Sequence, residues 1–459
     1  MSDVKENKMG THPVTSLLIT MSIPMMISML VQALYNIVDS QFVAQISEEA
    51  LTAVSLAFPW QNLIIAVAVG TGVGVNSMLS RWLGAGEQNL VKSCANHALL
   101  LAFLSAFVFT IVGVSISYIF FAAQTNVSEI INYGEEYLSI ISLFCTGVFI
   151  SCMCEKLLTA TGRTGLTMVT QMIGAIVNII LDPIMIFGYY GFPALGVAGA
   201  AIATVIGQWC GALCGLYLNL KHNSDIQISY KGFHWDWFVV HQIYSVGLPS
   251  IIMQAIGSIM TYTMNLILIT FSTTATAVFG VYFKLQSFIF MPVFGLNNGL
   301  VPIAAFNYGA SKPKRILGVY KSGIVIATLL MTLGFLMFQF GTSWLLGLFN
   351  PSEKMLAIGL PALKTISWSF LLAGFTVVTS AFFQALGHGM LSMWMSLIRQ
   401  LVALIPLAWL FAQSGQLEWV WWSFPLAEII VVVLSLFFLR HIIQTQVIPL
   451  ESKSVSFQE

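Results

Sequence analysis

Long apolar runs alternate with short polar connections along the whole chain. Twelve of the runs are long enough to cross a bilayer, which takes roughly 20 apolar residues per helix. Gly, Pro, Asn and Ser mark several of the breaks between them, as at 188–193. This pattern predicts an all-α polytopic membrane protein with twelve transmembrane helices. The predicted spans are about 17–46, 53–80, 94–121, 131–159, 167–190, 194–219, 238–271, 275–306, 317–348, 356–386, 390–412 and 417–443.

The second half of this pattern repeats the first at an offset of 225 residues. Pro24 returns as Pro249, and the same offset turns Gly70 and Gly74 into glycines again. Each half holds six predicted spans, an even number, so both halves enter the membrane in the same direction. Parallel repeats of this kind occur in carriers that open alternately to the two sides of a membrane. We predict two six-helix bundles around a central cleft.

The longest polar connection and the basic residues define the domains and the orientation. We predict an N-terminal bundle at 1–220, a cytoplasmic linker at 221–237, and a C-terminal bundle with its tail at 238–459. Cytoplasmic loops carry an excess of Lys and Arg, so both termini are predicted to be cytoplasmic and the protein to span the cell membrane. The basic residues on that side are Lys5, Lys8, Arg81, Lys92, Arg163, Lys221, Lys231, Lys312, Lys314, Arg315, Lys321, Arg440 and Lys453.

Composition narrows the function classes. The chain is 58% hydrophobic and 8% charged, far below the roughly 25% charged residues of soluble proteins. Its formal net charge is zero, which argues against a nucleic-acid partner. We find no phosphate-binding loop and no hydrolase or zinc-protease motif. The sequence therefore predicts neither an enzyme nor a self-contained ATP-driven pump.

Two acidic residues lie inside predicted spans of the first half. Asp39 in span one and Asp182 in span five fall at similar depths below the outer surface, so their side chains could meet. A charge at the centre of a membrane helix costs at least about 2.5–3.5 kcal/mol. The Lys and Arg residues of this half lie at or near the cytoplasmic ends of their spans, away from that depth. The pair must then bind a proton or a metal cation, unless backbone groups and water alone satisfy the two acids.

Further polar residues follow the same helical faces and complete a predicted site for a coupling cation. Asn178 lies four residues before Asp182 on one face of its helix. A sodium ion would take oxygens from Asp39, Asn178 and Asp182, whereas a proton needs only a carboxyl group. The additional residues that we assign to this oxygen-rich cluster are Tyr35, Asn36, Thr204 and Gln208.

The second half lacks this acid pair. Met264 stands at the position that corresponds to Asp39. Lys284 and Glu428 instead reach similar depths in spans eight and twelve, which predicts an ion pair that serves as a structural clamp or binds substrate. Met260 and Met264 could line an adaptable substrate cleft, because thioether side chains are flexible, or they could simply pack in the core. Gln208 belongs to the same group of cleft residues.

Motifs around these residues resemble the multidrug and toxic compound extrusion (MATE) family. The matching segments span nearly the whole chain, at 23–24, 35–39, 84–86, 178–183, 199–204, 302–309 and 385–387. The resemblance implies a V-shaped pair of six-helix bundles that exports mainly cationic, amphipathic drugs in exchange for protons or sodium ions. The chain is similar to the bacterial branch with its coupling site in the N-terminal bundle. That likeness implies functional roles for Asp39, Asn178 and Asp182, with Thr204 as a further ligand.

The sequence thus predicts a secondary active multidrug exporter that exchanges small molecules for H⁺ or Na⁺ by alternating access. The alternative is a flippase for lipid-linked precursors, which would favour a basic cavity for phosphates. Beyond Lys284 and Arg399, however, the predicted membrane interior has little basic charge. We expect a monomer among membrane lipids, with drugs as partners and no cofactor besides the coupling ion.

Overall fold

A computed structural model describes residues 7–229, 231–349 and 351–450, and the regular structure within these ranges is helical throughout. The remaining positions, among them Lys5 and Lys453 and the outer ends of both predicted domains, lie outside the described residues. The predicted all-α class is confirmed.

Seventeen α-helices follow one another in the described part of the chain. They are α1 (Lys8–Thr11), α2 (Val14–Ala44), α3 (Glu48–Ala85), α4 (Gln88–Ala122), α5 (Ser128–Leu143), α6 (Thr146–Ala160), α7 (Thr164–Phe187), α8 (Gly196–His222), α9 (Trp237–Leu268), α10 (Thr273–Gly309), α11 (Pro313–Phe340), α12 (Thr342–Gly347), α13 (Glu353–Ser367), α14 (Phe370–Ala385), α15 (Gly389–Leu397), α16 (Ile405–Ala412) and α17 (Leu417–Ile442). A 3₁₀ turn at Tyr189–Gly191 and π-helical segments at Ile398–Leu404 and Ile443–Val447 complete the set.

Ten spans within the described residues are single helices, or a helix continued by a π-helical segment, that are long and apolar enough to cross a membrane. Two further spans are broken: α5 and α6 meet at 47°, and α13 and α14 meet at 50°. With each bent pair counted once, the described residues contain twelve spans, as predicted. The two breaks fall at nearly the same place in the repeat, so both copies keep this bend.

Packing sorts the described residues into two compact units. Unit 1 contains the residues up to Met26, the turn Gly84–Gly86, and the residues from Leu248 onward; unit 2 contains the rest. Helix α2 therefore begins in unit 1 and ends in unit 2, while α9 begins in unit 2 and ends in unit 1. The predicted domain limits follow the repeat, whereas these units follow contacts, so each half contributes the start of its first helix to the other unit.

Within unit 2, two glycines set the distance between α7 and α8. A Cβ atom on Gly207 would lie 2.7 Å from the carbonyl oxygen of Gly174 and 3.1 Å from Cβ of Asn178. Contacts this short leave no space for a side chain, and small residues are what let membrane helices approach so closely. The close approach brings the polar residues next to these glycines into reach of one another.

Candidate functional site

Asn178 of α7 joins Asp182 to Thr204 of α8. With the amide nitrogen turned towards the carboxyl group, it donates to Asp182 Oδ2 at 3.2 Å. The amide oxygen then accepts from the hydroxyl of Thr204 at 3.3 Å and from its backbone N–H at 3.0 Å. All three residues are buried. The structure therefore brings together the three predicted site residues of α7 and α8.

Asp39 reaches the same place from α2. Its carboxyl group lies within hydrogen-bonding distance of the Asp182 carboxyl group. The Oδ1 atom of Asp39 is buried and has no donor among the described residues. Ionised carboxylates only accept hydrogen bonds, and two of them sharing a site repel each other. Two ionised carboxyl groups would therefore be unfavourable at this distance, whereas a proton or another cation between them would stabilise the contact.

Both acids lie at equal distances from the ends of their helices. Asp39 is five residues before the last residue of α2, and Asp182 is five residues before the last residue of α7. Since an α-helix rises 1.5 Å per residue, the carboxyl groups share one depth near the predicted outer side. The structure thus brings together the two acids that the sequence analysis paired, and their role as a cation site stays a prediction.

Basic side chains do not neutralise the pair in the part of the chain that the structure describes, where neither acid forms an ion pair with Lys or Arg. Arg163, at the start of α7, is instead bound elsewhere. Its guanidinium lies 3.0 Å from Oδ2 of Asp225 and donates to Oδ1 of Asn223 at 3.2 Å. Among the described residues, Asp39 and Asp182 therefore have no basic partner.

Two tyrosines border the acid pair. Tyr35, which the sequence predicted, interacts electrostatically with Asp39 and Asp182. Tyr137 of α5 does the same, and its hydroxyl oxygen accepts from Gln61 Nε2 of α3 at 2.8 Å. Sequence reasoning missed Tyr137 and Gln61, because a lone tyrosine or glutamine in an apolar run is also an ordinary packing residue.

Asn36 and Gln208 are not brought to the acid pair. Asn36 is exposed, and its carbonyl oxygen accepts from the hydroxyl of Ser40 at 2.8 Å. Gln208 is half-buried one turn beyond Thr204 on α8. No contact of either side chain with the two carboxyl groups is found among the described residues, so their assignments stay predictions.

The predicted ion pair between Lys284 and Glu428 is wrong. The Lys284 ammonium lies 6.0 Å from the centre of the Phe349 ring, on an exposed part of α10. Glu428 is buried and accepts from the hydroxyl of Thr376, and Arg399 is the cation that acts on it electrostatically. Equal depth in two spans does not fix the direction in which each side chain leaves its helix, and that direction separates the two charges.

Met260 and Met264 are both buried on α9, with 8% and 0% of their surfaces exposed. Their side chains therefore pack within unit 1 in this structure. A contribution of these two residues to a substrate cleft stays a prediction.

Comparison with known proteins identifies the family. The sequence profile of the MatE family matches residues 24–184 and, a second time, residues 249–410. Together the matches cover more than two thirds of the chain. The chain belongs to the MatE family. The two matches begin 225 residues apart, which is the offset of the internal repeat, so each half of this MatE protein is one copy of the family's unit.

Relatives and solved structures agree with this assignment. Multidrug export protein MepA of Staphylococcus aureus (strain MRSA252) is 26% identical over 418 residues, or 91% of each chain. The protein of the same name from Staphylococcus haemolyticus (strain JCSC1435) is 26% identical over 420 residues, again 91% of each chain. Both comparisons run through the two halves of the repeat.

Among solved structures, one describes the outward-facing conformation of a multidrug resistance MATE family transporter of the MOP superfamily. It superimposes with a TM-score of 0.90 at 26% identity, covering 98% of this chain and 99% of the other. A second solved structure is of a MOP superfamily transporter from Pyrococcus furiosus Vc1 (DSM3638), described with a binding pocket of reverse polarity. It superimposes with a TM-score of 0.90 at 26% identity, covering 96% of this chain and 98% of the other. The twelve-helix architecture of a MATE transporter is confirmed.

The ligand set at the acid pair suits a small hard cation. Asp39 and Asp182 supply negatively charged oxygens, and Thr204 supplies a neutral hydroxyl oxygen. Oxygen ligands of this kind are preferred by hard cations, and a carboxyl oxygen equally accepts a proton. Oδ1 of Asp39, which has no donor among the described residues, is free to accept such a cation. The residues present therefore fit either H⁺ or Na⁺.

Proposed function

We propose that this MatE protein is a secondary active multidrug exporter, in which binding and release of H⁺ or Na⁺ at Asp39 and Asp182 drive the export of small molecules. The observation that carries the proposal is the contact of the buried Asp182 carboxyl group with the half-buried Asp39 carboxyl group, a pair that no Lys or Arg in the described residues neutralises. A cation site of this kind gives the protein an energy source without ATP.

The proposed coupling of cation binding to drug export rests on the difference in electrostatic free energy between the loaded and the empty acid pair. Without a cation, the pair places up to two negative charges in an apolar bundle, which is unfavourable because a charged side chain inside a membrane protein is costly unless it is paired. Loading one H⁺ or Na⁺ removes most of that cost. The loaded and empty states therefore differ enough in free energy to favour different conformations of α2 and α7, since a ligand shifts an equilibrium by its differential affinity.

The substrate class rests on the relatives. Both MepA proteins are multidrug export proteins by name, and we assign this chain the export of amphipathic, often cationic drugs. We place it in the cell membrane with both termini in the cytoplasm, because the basic residues cluster in the loops of that side. Apart from the coupling ion, the function requires no cofactor.

Transport by the purified protein in proteoliposomes tests the proposal. A fluorescent amphipathic cation is followed under an imposed pH gradient, a sodium gradient, both, or neither. We expect one of the two gradients to drive drug movement in the wild type and to have no effect in Asp39→Asn and Asp182→Asn. Glu418→Gln, which alters an exposed acid at the start of α17, is the matched control and retains transport.

The result that would overturn the proposal is gradient-driven transport at wild-type rates in both asparagine variants. Drug movement driven by neither gradient in the wild type would equally remove the coupling role from the acid pair.

A further inference from the structure

The chain that connects α8 to α9 is bound along its length to unit 2. We call residues 223–236 the connector; its described residues exclude 230. At one end Arg163 holds Asn223 and Asp225. In the middle, Asn96 of α4 pairs with the backbone of Ser229 in both directions: Nδ2 donates to the carbonyl oxygen at 2.9 Å, and Oδ1 accepts from the N–H at 3.1 Å. The connector is therefore a docked element of this unit.

His97 of α4 holds the other end of the connector. Its ring is fully buried and lies against the rings of Phe233 and Trp235, with centroids 4.9 Å and 5.3 Å away. Nδ1 lies 2.8 Å from the carbonyl oxygen of Ser93, and Nε2 lies 3.0 Å from the backbone nitrogen of Asp236. A carbonyl only accepts and a backbone N–H only donates, so Nδ1 carries the proton and Nε2 carries none.

This contact positions the beginning of α9. Asp236 precedes the first residue of α9, and its Oδ1 accepts from the N–H of Phe238 at 2.9 Å, which caps the helix. The part of α9 up to Gly247 belongs to unit 2. His97 thus fixes the residue at which the chain enters α9, on the side that the sequence predicts to be cytoplasmic.

We propose that His97 is an acid-sensitive latch that holds the connector and the start of α9 on unit 2 while its imidazole is neutral. If Nε2 also carried a proton, its N–H would face the backbone N–H of Asp236. Two donors would then meet with no acceptor between them, and the hydrogen bond would be lost. The latched form therefore excludes that proton, the released form accepts it, and acid favours release.

The groups around the ring indicate that His97 itself causes the pH-dependent release. Of the described residues that hydrogen-bond to the ring or lie against it, Ser93, Phe233 and Trp235 do not titrate in the relevant range, and Asp236 does. The Asp236 carboxyl group already accepts from Phe238 N–H at the helix cap. The latch is separate from the Asp39 and Asp182 pair, so it adds control by pH on the predicted cytoplasmic side to a transporter whose coupling site lies at the other end of its helices.

Hydrogen exchange measured by mass spectrometry on the purified full-length protein tests the latch. Exchange of the backbone amides of Ser229 and Asp236 is compared at pH 7.5 and pH 5.5, with labelling times corrected for the intrinsic pH dependence of exchange. An imidazole in water is half-protonated near pH 6.5, so the released fraction should rise about tenfold over this range. We expect correspondingly faster corrected exchange in this segment at pH 5.5.

Two variants and a control assign the response. In His97→Gln and His97→Ala the corrected rates should be the same at both pH values, because neither side chain gains a proton. His234→Ala removes an exposed histidine of the connector and should keep the wild-type response. The proposal is overturned by corrected rates in the wild type that do not change with pH, by a response that persists in His97→Gln, or by loss of the response in His234→Ala.

Discussion

Four side chains form the acid cluster of unit 2, and the positions that correspond to them in the second half of the repeat are all apolar. Adding 225 to Asp39, Asn178, Asp182 and Thr204 gives Met264, Ala403, Leu407 and Ile429. Met264 and Ala403 are buried, and Ile429 is about half exposed, at 48%. One copy of the repeat thus carries the polar groups, while the other keeps the helices and has apolar side chains at the corresponding positions.

The backbone differs at the same place. Gly174 and Gly207, which let α7 and α8 meet closely, correspond to Arg399 and Val432 in the second half. There the helix is π-helical from Ile398 to Leu404, a local widening that is frequent at functional sites. Close backbone approach at this place is therefore a feature of the copy that carries the acid pair, and we expect the proposed cation site to depend on it as well as on the carboxyl groups.

The largest effect is predicted for substitutions that remove a carboxyl group from the acid pair of the first copy. Asp39→Asn or Asp182→Asn should reduce gradient-driven export to the level of empty liposomes, because an amide neither takes up a proton near neutral pH nor supplies a charge for Na⁺. Thermal unfolding of the purified variants should stay within a few degrees of the wild type, since asparagine has nearly the same volume. Substantial gradient-driven export in either variant would remove the distinction between the two copies.

The next largest effect is expected from a substitution that pushes α7 and α8 apart but keeps all the proposed ligands of the cation. Gly207→Ala places a Cβ atom 2.7 Å from the Gly174 carbonyl oxygen, and overpacking of this kind costs about 1–3 kcal/mol. We expect the apparent affinity for the coupling cation, measured from the cation dependence of transport, to fall roughly tenfold, as 1.4 kcal/mol corresponds to a factor of ten.

Gly165→Ala is the matched control for that prediction. It makes the same change on α7, where an added Cβ meets no atom within 4 Å. Equal cation affinities in Gly207→Ala and Gly165→Ala would show that the distance between α7 and α8 does not matter for the site.

A smaller effect is expected at Thr204. Thr204→Val keeps the shape of the side chain but removes the hydroxyl that contacts Asn178, and one hydrogen bond contributes about 0.5–1.5 kcal/mol. Cation affinity should fall roughly threefold to tenfold, and Thr204→Ser should restore most of it. At the corresponding position of the other copy, Ile429→Val should leave affinity unchanged; a loss there as large as in Thr204→Val would contradict the asymmetry.

The smallest effect concerns the charges of unit 1. A double-mutant cycle on thermal stability with Lys284→Met and Glu428→Gln should give additive effects within about 0.3–0.5 kcal/mol, as expected for residues without direct contact. The pair Thr376→Val and Glu428→Gln should be clearly non-additive, because the hydroxyl of Thr376 donates to Glu428. Strong energetic coupling between Lys284 and Glu428 in this cycle would contradict the structure and support the ion pair predicted from the sequence.

Much of this arrangement could be predicted from the sequence, and the failures have a common cause. Apolar length fixed the twelve spans, and the depth of Asp39 and Asp182 within their spans predicted that they meet. Depth says nothing about the direction of a side chain around its helix, and the Lys284–Glu428 prediction failed for that reason. Tyr137 was missed because its proximity to the acids depends on how α5 packs, which no pattern within α5 reveals.

The most direct test of the account is the number of cations held by the purified, drug-free protein near neutral pH. Bound protons and sodium ions are counted together, by acid–base titration and by sodium binding, in the wild type and in the Asp39→Asn, Asp182→Asn double variant. The account predicts that the wild type holds about one cation more than the double variant, because two carboxyl groups in contact share one positive charge. Equal numbers in the two proteins would contradict it.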